Sequence, residues 1–294
     1  MNDQAKGLLL TTLGVLLIVP DSLFVRLIDA EPLVTAFWRG MTSGIFIWVF
    51  LLVFQGLAPF RAVLGAGKPG LIYTILMGST APGFVLAISN TSVANVVFIF
   101  ATIPVFAAIF SRVFLGERIS RRMMITMGVV MVGLAIIAFG YAENEIAHWT
   151  GDLCAVYVSA AYAAALTAVR KVKDVSMVPA IPLAYIAAAL VSLFFVAPFD
   201  GFAGQWQLYA GHGAFIAIAT CLLTLGPRYI SSAEVSLLIL LESVLAPILV
   251  WFVIGEEPGR LTLVGGVVVI GALIVSNLVA LRRTHPRGSV VSGS

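Results

Sequence analysis

Charged side chains are scarce in this chain. Asp, Glu, Lys and Arg make up only 11% of its 294 residues, whereas hydrophobic residues make up 61%. A soluble globular domain carries about 25% charged residues, so this composition excludes an ordinary water-soluble fold. It indicates a protein whose segments lie in a lipid bilayer.

Cysteine and histidine are also rare. Cys154 and Cys221 lie in separate apolar segments, and His148, His212 and His285 fall in or beside predicted loops. Two distant cysteines form neither a disulfide framework nor a metal-ligand motif. The sequence also lacks a zinc-protease motif and a glycine-rich phosphate loop. We therefore predict that the protein is not an enzyme and needs no cofactor or metal.

Ten apolar segments follow one another along the chain, each with roughly the 20 residues that cross the hydrocarbon core as a helix. The predicted spans are 7–25, 33–54, 70–88, 92–115, 122–140, 152–170, 178–198, 210–226, 233–254 and 261–281. The predicted fold class is therefore an all-α integral membrane protein of ten transmembrane helices. Residues 284–294 are predicted to form a disordered cytoplasmic tail.

The basic residues are distributed unevenly over this topology. Of 17 Lys and Arg residues, 14 fall on one side of the predicted membrane and two on the other, while Arg39 lies within the second span. Cytoplasmic loops carry the excess of basic residues, so both termini are predicted to be cytoplasmic. Because the basic residues lie in short loops, the net charge of +3 indicates a lipid bilayer rather than nucleic acid as the partner.

Two stretches of the chain, Ser89–Arg118 and Arg228–Glu257, resemble each other. They share eight identities at one constant spacing, including a Gly-Glu pair where each helix ends. Five spans per half is an odd number, so the second copy must enter the membrane upside down. We predict a first repeat over 1–145 and a second, inverted repeat over 146–283. Inverted repeats are a transporter architecture in which substrate binds near the membrane midplane.

Ten helices in two five-helix halves, each with Gly-Glu after its fourth helix, resemble the drug/metabolite transporter superfamily of EamA type. Arg39 matches an arginine common early in the second helix of that family. Gly128 and Gly133, and likewise Gly266 and Gly271, match its pattern for the fifth helix of each half. Within the superfamily the chain is most similar to the YddG-type aromatic amino-acid exporters.

The resemblance implies an exporter of amino acids, aromatic ones favoured, in the bacterial inner membrane. The substrate would cross by alternating access through a cavity between the repeats. Because one chain holds both copies, we expect a monomer to be functional. The alternatives are a broader drug or metabolite exporter of the same fold, a membrane scaffold without flux, and an intramembrane enzyme.

Ionisable residues within spans are the clearest functional candidates, because each costs about 2.5–3.5 kcal/mol at the bilayer centre. Asp21 is the natural partner of Arg39, either in a structural ion pair or in a site where Arg39 attracts a substrate carboxylate. Glu242 lies near the middle of the ninth span, where it could couple protons, bind a substrate ammonium or pair with a buried polar group. Glu234 lies near the cytoplasmic mouth, and Asn95 is its counterpart in the first repeat.

Aromatic side chains within spans could wall a cavity and stack on an aromatic substrate. With the ionisable candidates they complete the predicted substrate-binding set: Trp38, Arg39, Tyr73, Ser79, Asn95, Phe98, Tyr157, Tyr162, Tyr185 and Glu242. Other aromatic residues are expected to face lipid or to form interfacial belts, namely Tyr141, Trp149, Trp206 and Tyr209.

Proline and glycine residues mark places where the helices can bend. Proline lacks the backbone N–H and kinks a helix, which suits half-helices that pivot around a central site. The alternative is a static kink that only improves packing. The predicted hinge positions are Pro82, Gly83, Pro104, Gly226, Pro227 and Pro247.

Overall fold

A computed structural model describes residues 2–90, 96, 99–100, 102–141, 149–199, 202–255 and 260–283. These residues form thirteen α-helices and one 3-10 turn, and no strand occurs among them. The helices are α1 (Asp3–Ile18), α2 (Asp21–Leu27), α3 (Pro32–Gln55), α4 (Ala58–Gly65), α5 (Gly67–Asn90), α6 (Ile103–Leu115), α7 (Arg121–Tyr141), α8 (Trp149–Lys171), α9 (Ala180–Ser192), α10 (Phe202–Leu225), α11 (Ser232–Ile239), α12 (Glu242–Ile254) and α13 (Arg260–Arg283). The predicted all-helical class is confirmed. The predicted tail over 284–294 lies outside the described residues.

Within the described residues, five helical stretches are long and apolar enough to cross a membrane: Asp3–Val25, Pro32–Gln55, Trp149–Lys171, Phe202–Arg228 and Ser232–Ile254. Three shorter apolar helices follow the same pattern, at Ile103–Leu115, Ala180–Ser192 and Leu263–Ser276. Helices α5 and α7 coincide with the third and fifth predicted spans. The exact number of ten spans stays a prediction.

The outer surface of the helices is strongly apolar. Phe54, Phe194, Phe252 and Val267 are each more than 70% exposed. Monomeric soluble proteins rarely expose large contiguous apolar patches, whereas helices in a bilayer present such side chains to lipid tails. The surface therefore agrees with the membrane location that the composition predicts.

Helices of the first half pack mainly against helices of the second half. Helix α5 lies along α8 and α1 lies along α10, while α3 contacts both α9 and α10, and α9 also contacts α5. Helix α7 pairs with α13, and α6 pairs with both α8 and α11. In the predicted repeat, α5 corresponds to α10 and α1 corresponds to α8. The α5–α8 contact and the α1–α10 contact are therefore equivalent. The pairing thus has the pattern that a two-fold relation between the halves requires.

The shared Gly-Glu pair has a local structural reason. Gly116 ends α6 with φ +68° and Gly255 ends α12 with φ +81°, a left-handed conformation that glycine adopts without strain at helix C-termini. The Gly116 N–H donates to the Ser111 carbonyl and the Gly255 N–H to the Trp251 carbonyl. The repeated glycine is therefore explained by helix termination.

The fourth span of each half is interrupted at an equivalent position. Residue 102 is a turn residue before α6, and residues 240–241 form the turn between α11 and α12. Ile103 and Glu242, which are opposite each other in the repeat alignment, are the first residues of α6 and α12. The breaks precede the predicted hinge prolines: Pro104 lies in the first turn of α6, where proline is tolerated, and Pro247 lies inside α12.

The remaining hinge candidates lie in two different settings. Pro82 and Gly83 are inside the continuous helix α5. Gly226 and Pro227 form the 3-10 turn that separates α10 from α11. Whether any of these positions moves during a transport cycle stays a prediction.

Close approach of the backbones depends on particular glycines. A Cβ atom added to Gly78 of α5 would lie 2.9 Å from the Ala184 carbonyl oxygen of α9, and one added to Gly133 would lie 3.0 Å from the Gly265 carbonyl oxygen. A Cβ atom on Gly128 would meet nothing within 4 Å. Small residues allow helices to approach closely in lipid, so Gly78 and Gly133 serve packing and Gly128 does not.

The substitution Gly78→Ala is expected to destabilise the protein by about 1–3 kcal/mol, because an added methyl group overpacks a site where the opposing atom belongs to the backbone. The matched control Gly128→Ala adds the same methyl group in open space. It should leave stability unchanged or raise it slightly, since alanine favours a helix over glycine by about 1 kcal/mol. Thermal unfolding of both variants in detergent measures the difference, and equal midpoints would contradict the packing role of Gly78.

Candidate functional site

A buried ion pair joins the first two spans. Arg39 Nε lies 3.1 Å from Asp21 Oδ1 and 3.2 Å from Oδ2, and Nη2 lies 2.7 Å from Oδ2. The Arg39 side chain is 17% exposed and the Asp21 side chain 9%. Asp21 begins α2, directly after the break at Pro20, where the positive end of the helix dipole also favours a carboxylate. The predicted partnership of Asp21 and Arg39 is present in the structure.

His212 is a third member of this cluster, and sequence analysis missed it. Its Nε2 atom lies 2.5 Å from Asp21 Oδ1, and the side chain is fully buried. The prediction that His212 lies in or beside a loop is wrong, because α10 begins at Phe202 and not near residue 210. The Gln and Gly residues before His212 lower the local hydropathy, and this concealed the first turns of the helix.

Glu242 lies close to the same cluster. It is the first residue of α12, half-buried, and it interacts electrostatically with both Asp21 and Arg39. Tyr162 lies near Tyr185, Glu242 and Arg39. Five predicted site residues, contributed by five helices, therefore surround one region of the protein together with His212.

Two tyrosines of the predicted set are anchored to α10. The Tyr185 hydroxyl lies 3.2 Å from Thr220 Oγ1, and the Tyr73 hydroxyl lies 2.9 Å from Thr224 Oγ1. Both rings are almost fully buried in one apolar cluster, and Tyr162 packs against it. Because their hydroxyls already have partners, these rings contribute mainly apolar surface to their surroundings.

Tyr157 and Ser79 form a separate contact between α8 and α5. The Tyr157 hydroxyl donates to Ser79 Oγ at 2.7 Å, and Tyr157 is 48% exposed. A Cβ atom on Gly83 would lie 2.9 Å from Val158 Cγ2, so α5 and α8 are in close contact beside this hydrogen bond. Asn95 and Phe98, two further predicted site residues, lie outside the described residues.

Trp38 is adjacent to Arg39 in sequence but belongs to an aromatic cluster. Its Nε1 atom donates to the Pro198 carbonyl at 2.7 Å, and its ring stacks on Phe202 with centroids 4.1 Å apart. Tyr209 stacks on Phe202 in the same cluster and is only 1% exposed. The prediction that Tyr209 belongs to an interfacial belt is therefore wrong, whereas Trp206 is 52% exposed, as a lipid-facing residue should be.

A polar network joins the two halves at the end of the protein that carries the N-terminus. Glu234 pairs with Arg122 and accepts a hydrogen bond from Gln4 Nε2 at 3.2 Å. Arg122 Nη1 also donates to the Ser276 carbonyl at 2.8 Å. Glu234 caps α11 through a reciprocal capping box with Ser231, which fixes the carboxylate for its contact with Arg122.

A second ion pair lies at the same end. Arg170 Nε lies 2.8 Å from Glu117 Oε1, and Arg170 Nη1 donates to the Pro227 carbonyl at 3.1 Å. Glu117 follows the C-terminus of α6 in the first half, whereas Arg170 and Pro227 belong to the second half. Arg122–Glu234 and Arg170–Glu117 are thus both ion pairs between the halves at one end of the protein.

The family model of EamA-like transporters matches residues 5–139 and again residues 149–278. This chain belongs to the EamA-like transporter family. The two matches correspond to the two halves that the repeat predicts, and the family lies within the drug/metabolite transporter superfamily. The predicted superfamily is thus confirmed, and the coarse function of the protein is that of a membrane transporter.

Two further comparisons agree with this assignment. A protein of Archaeoglobus fulgidus named "Uncharacterized transporter" is 24% identical over 256 residues, which cover 87% of this chain and 90% of that protein. A solved structure described as "Crystal structure of protein" superposes with a TM-score of 0.78 at 18% identity and covers 95% of this chain and 99% of its own. At this identity the second likeness shows the fold alone.

The central cluster of this EamA-like transporter suits the recognition of a charged solute. Among the described residues, no group of three or more His, Cys, Asp and Glu side chains could hold a metal ion. What the cluster offers instead is an arginine, two carboxylates and a histidine beside tyrosine rings. Such intramembrane charges mark substrate and proton sites in transporters.

Breaking the Glu234–Arg122 pair is expected to open the N-terminal end of the transporter. In Glu234→Gln, Arg122 loses its ion-pair partner. Each 1.4 kcal/mol by which the closed state is destabilised raises the ratio of open to closed protein about tenfold. In a Cys154→Ser background, modification of Cys221 by a membrane-impermeant thiol reagent added from that end should become at least several-fold faster.

Glu31→Gln is the matched control. Glu31 is an exposed glutamate directly before α3, and it lies at the end of the protein opposite to Glu234. It should leave the rate of Cys221 modification unchanged. Equal rates in Glu234→Gln and the parent would contradict a closing role for the Arg122–Glu234 pair.

Proposed function

We propose that this transporter exports amino acids, aromatic ones favoured, across the bacterial inner membrane. Substrate would cross by alternating access through a central cavity between two inverted repeats, with both termini in the cytoplasm and one chain sufficient for function. The observation that carries the proposal is Arg39, an intramembrane guanidinium paired with Asp21 within electrostatic reach of Glu242 and Tyr185.

Arg39 has donor capacity beyond its contact with Asp21. A guanidinium carries five N–H donors, and only Nε and Nη2 contact Asp21. Within the described residues, Nη1 has no hydrogen-bond partner. A substrate carboxylate could therefore contact Nη1, since arginine is well suited to bind carboxylates.

Glu242 could provide the second point of recognition. An amino acid carries an ammonium group beside its carboxylate, so a carboxylate of the protein near Arg39 matches the zwitterion. Glu242 belongs to the second half and Arg39 to the first, and the substrate would therefore bridge the halves. The first repeat has Ile103 at the position equivalent to Glu242, so the acid is not required by the shared scaffold.

The tyrosines favour an aromatic side chain on the substrate. Tyr162 and Tyr185 lie near Arg39, and the Tyr185 hydroxyl is anchored by Thr220. Stacking between aromatic rings contributes about 0.5–1.5 kcal/mol beyond area burial. The same apolar rings would accept other flat molecules, which supports a broader drug or metabolite exporter as the second candidate. Transport and not catalysis is proposed because the family is one of transporters.

In proteoliposomes, Arg39→Gln is expected to reduce the flux of tryptophan and phenylalanine at least tenfold, because the substrate carboxylate loses its cationic partner. The flux of a neutral aromatic solute such as indole, if it is carried, should remain near the parent value. Thermal unfolding of the variant distinguishes lost recognition from lost folding. Equal loss of both fluxes in a destabilised protein would assign Arg39 a structural role.

The substitution Glu242→Gln tests whether Glu242 binds the substrate ammonium or has only a structural role. The variant should raise the concentration of tryptophan needed for half-maximal flux about tenfold, since the uncharged amide cannot form an ion pair with the ammonium. Indole-3-propionate lacks the ammonium group, so its transport should not be impaired by the substitution.

In cells, overexpression of the parent should give resistance to toxic aromatic amino-acid analogues. If the parent changes tolerance to none of them, the substrate class is wrong.

A further inference from the structure

The imidazole of His212 lies between the Asp21 carboxylate and the Phe24 ring, an arrangement that the proposed substrate contacts do not use. We propose that His212 and Asp21 form a proton-binding site that takes up one proton when a substrate carboxylate binds to Arg39. This inference rests on the proposed amino-acid site and adds to it a linkage between substrate and proton.

The hydrogen bond between the two residues fixes which ring nitrogen of the imidazole carries a hydrogen. An ionised carboxylate only accepts hydrogen bonds, so His212 Nε2, 2.5 Å from Asp21 Oδ1, carries a hydrogen and donates it. The other ring nitrogen, Nδ1, is buried and has no partner within the described part of the chain. A neutral ring leaves Nδ1 as a bare acceptor, the atom to which a proton can be added.

A purely structural role does not explain this choice of residue. A glutamine amide could also donate to Asp21, but it offers no basic nitrogen to which a proton can be added. The Phe24 ring stacks nearly parallel on the imidazole, with centroids 5.2 Å apart and an angle of 11°. The face of an aromatic ring attracts a cation, so Phe24 would stabilise the ring once it is protonated.

The charges that face His212 determine when the proton binds. The charges of Asp21 on α2 and Arg39 on α3 oppose each other, and Glu242 on α12 lies near both. Tyr185 on α9 acts on Arg39. On the neighbouring α1 and the 3-10 turn, the ionisable residues are confined to the N-terminal end of the protein: Asp3, Lys6 and Arg228.

A substrate carboxylate that binds Arg39 competes with Asp21 for the guanidinium, so the Asp21 charge acts more strongly on His212. Protonation of His212 offsets that charge: a proton from water forms an N–H bond at Nδ1, and it returns to water when the carboxylate leaves. Histidine is the side chain suited to such a change of charge between about pH 5 and 8. Substrate and proton therefore bind together.

Equilibrium binding of tryptophan to the purified full chain in detergent tests the linkage. The parent should bind at least about fivefold more tightly at pH 6 than at pH 8, and it should take up close to one proton per bound tryptophan near neutral pH. In His212→Gln, which keeps a donor for Asp21, the affinity should be the same at both pH values. His285→Gln, beyond the last described residue, is the matched histidine control and should behave as the parent. A pH-dependent affinity that persists in His212→Gln would overturn the proposal.

A second measurement needs no substrate and therefore separates this proposal from the proposed function. In protein labelled with nitrogen-15 histidine, the His212 signal, assigned by its loss in His212→Gln, should report the neutral Nε2–H tautomer at pH 7. Arg39→Gln removes the charge that balances Asp21, and the same signal should become that of an imidazolium. If His212 stays neutral while infrared spectroscopy shows a protonated Asp21 carboxyl, the proton site is not His212. Failure of tryptophan to bind the parent, with the expected histidine spectra, would reject only the amino-acid substrate.

Discussion

The contact between Asp21 and Arg39 constrains the structure around it, because neither charge can remain in the hydrocarbon region without a partner. An isolated buried ion loses several kcal/mol of hydration energy that only close and well-oriented partners offset. The first span is interrupted at Pro20, and Asp21 therefore begins a new helix. The second span presents Arg39 from α3, and α10 of the other half brings His212 to the same carboxylate. One carboxylate thus fixes the relative positions of three helices from both halves.

The second constraint is the equivalence of the two halves, and the acidic residue of the candidate site lies where this equivalence fails. Both fourth spans are interrupted at matching positions, and both end in a left-handed glycine. These features serve helix geometry and are therefore common to the two copies. Ile103 and Glu242 start the matching helices α6 and α12, and only the second is an acid. Two similar halves, of which only one contributes the Glu242 carboxylate, would suit the proposed solute with different groups at its two ends.

The fold was largely predictable from sequence, since the composition, the apolar segments and the repeated Gly-Glu pair report on the bilayer and on helix termination. The partnership of Asp21 with Arg39 was predictable as well, because an intramembrane charge requires an opposite charge at similar depth. His212 was not predictable, because polar residues in the first turns of α10 lower its hydropathy, and a partner 191 residues from Asp21 in sequence is defined only by packing. The burial of Tyr209 was missed for the same reason.

Polar contacts between the halves differ in how readily they can separate. The side chains of Arg122–Glu234 and Arg170–Glu117 are 14–28% exposed at the N-terminal end of the protein, so water can replace either partner as the halves move apart. His212 is fully buried and Asp21 is 9% exposed, so their separation from Arg39 without a replacement charge would leave ions in the hydrocarbon region. In the proposed transport cycle, a substrate carboxylate would provide that replacement. The N-terminal end would then open and close by exchange with water, whereas the centre would rearrange only with a charged solute bound.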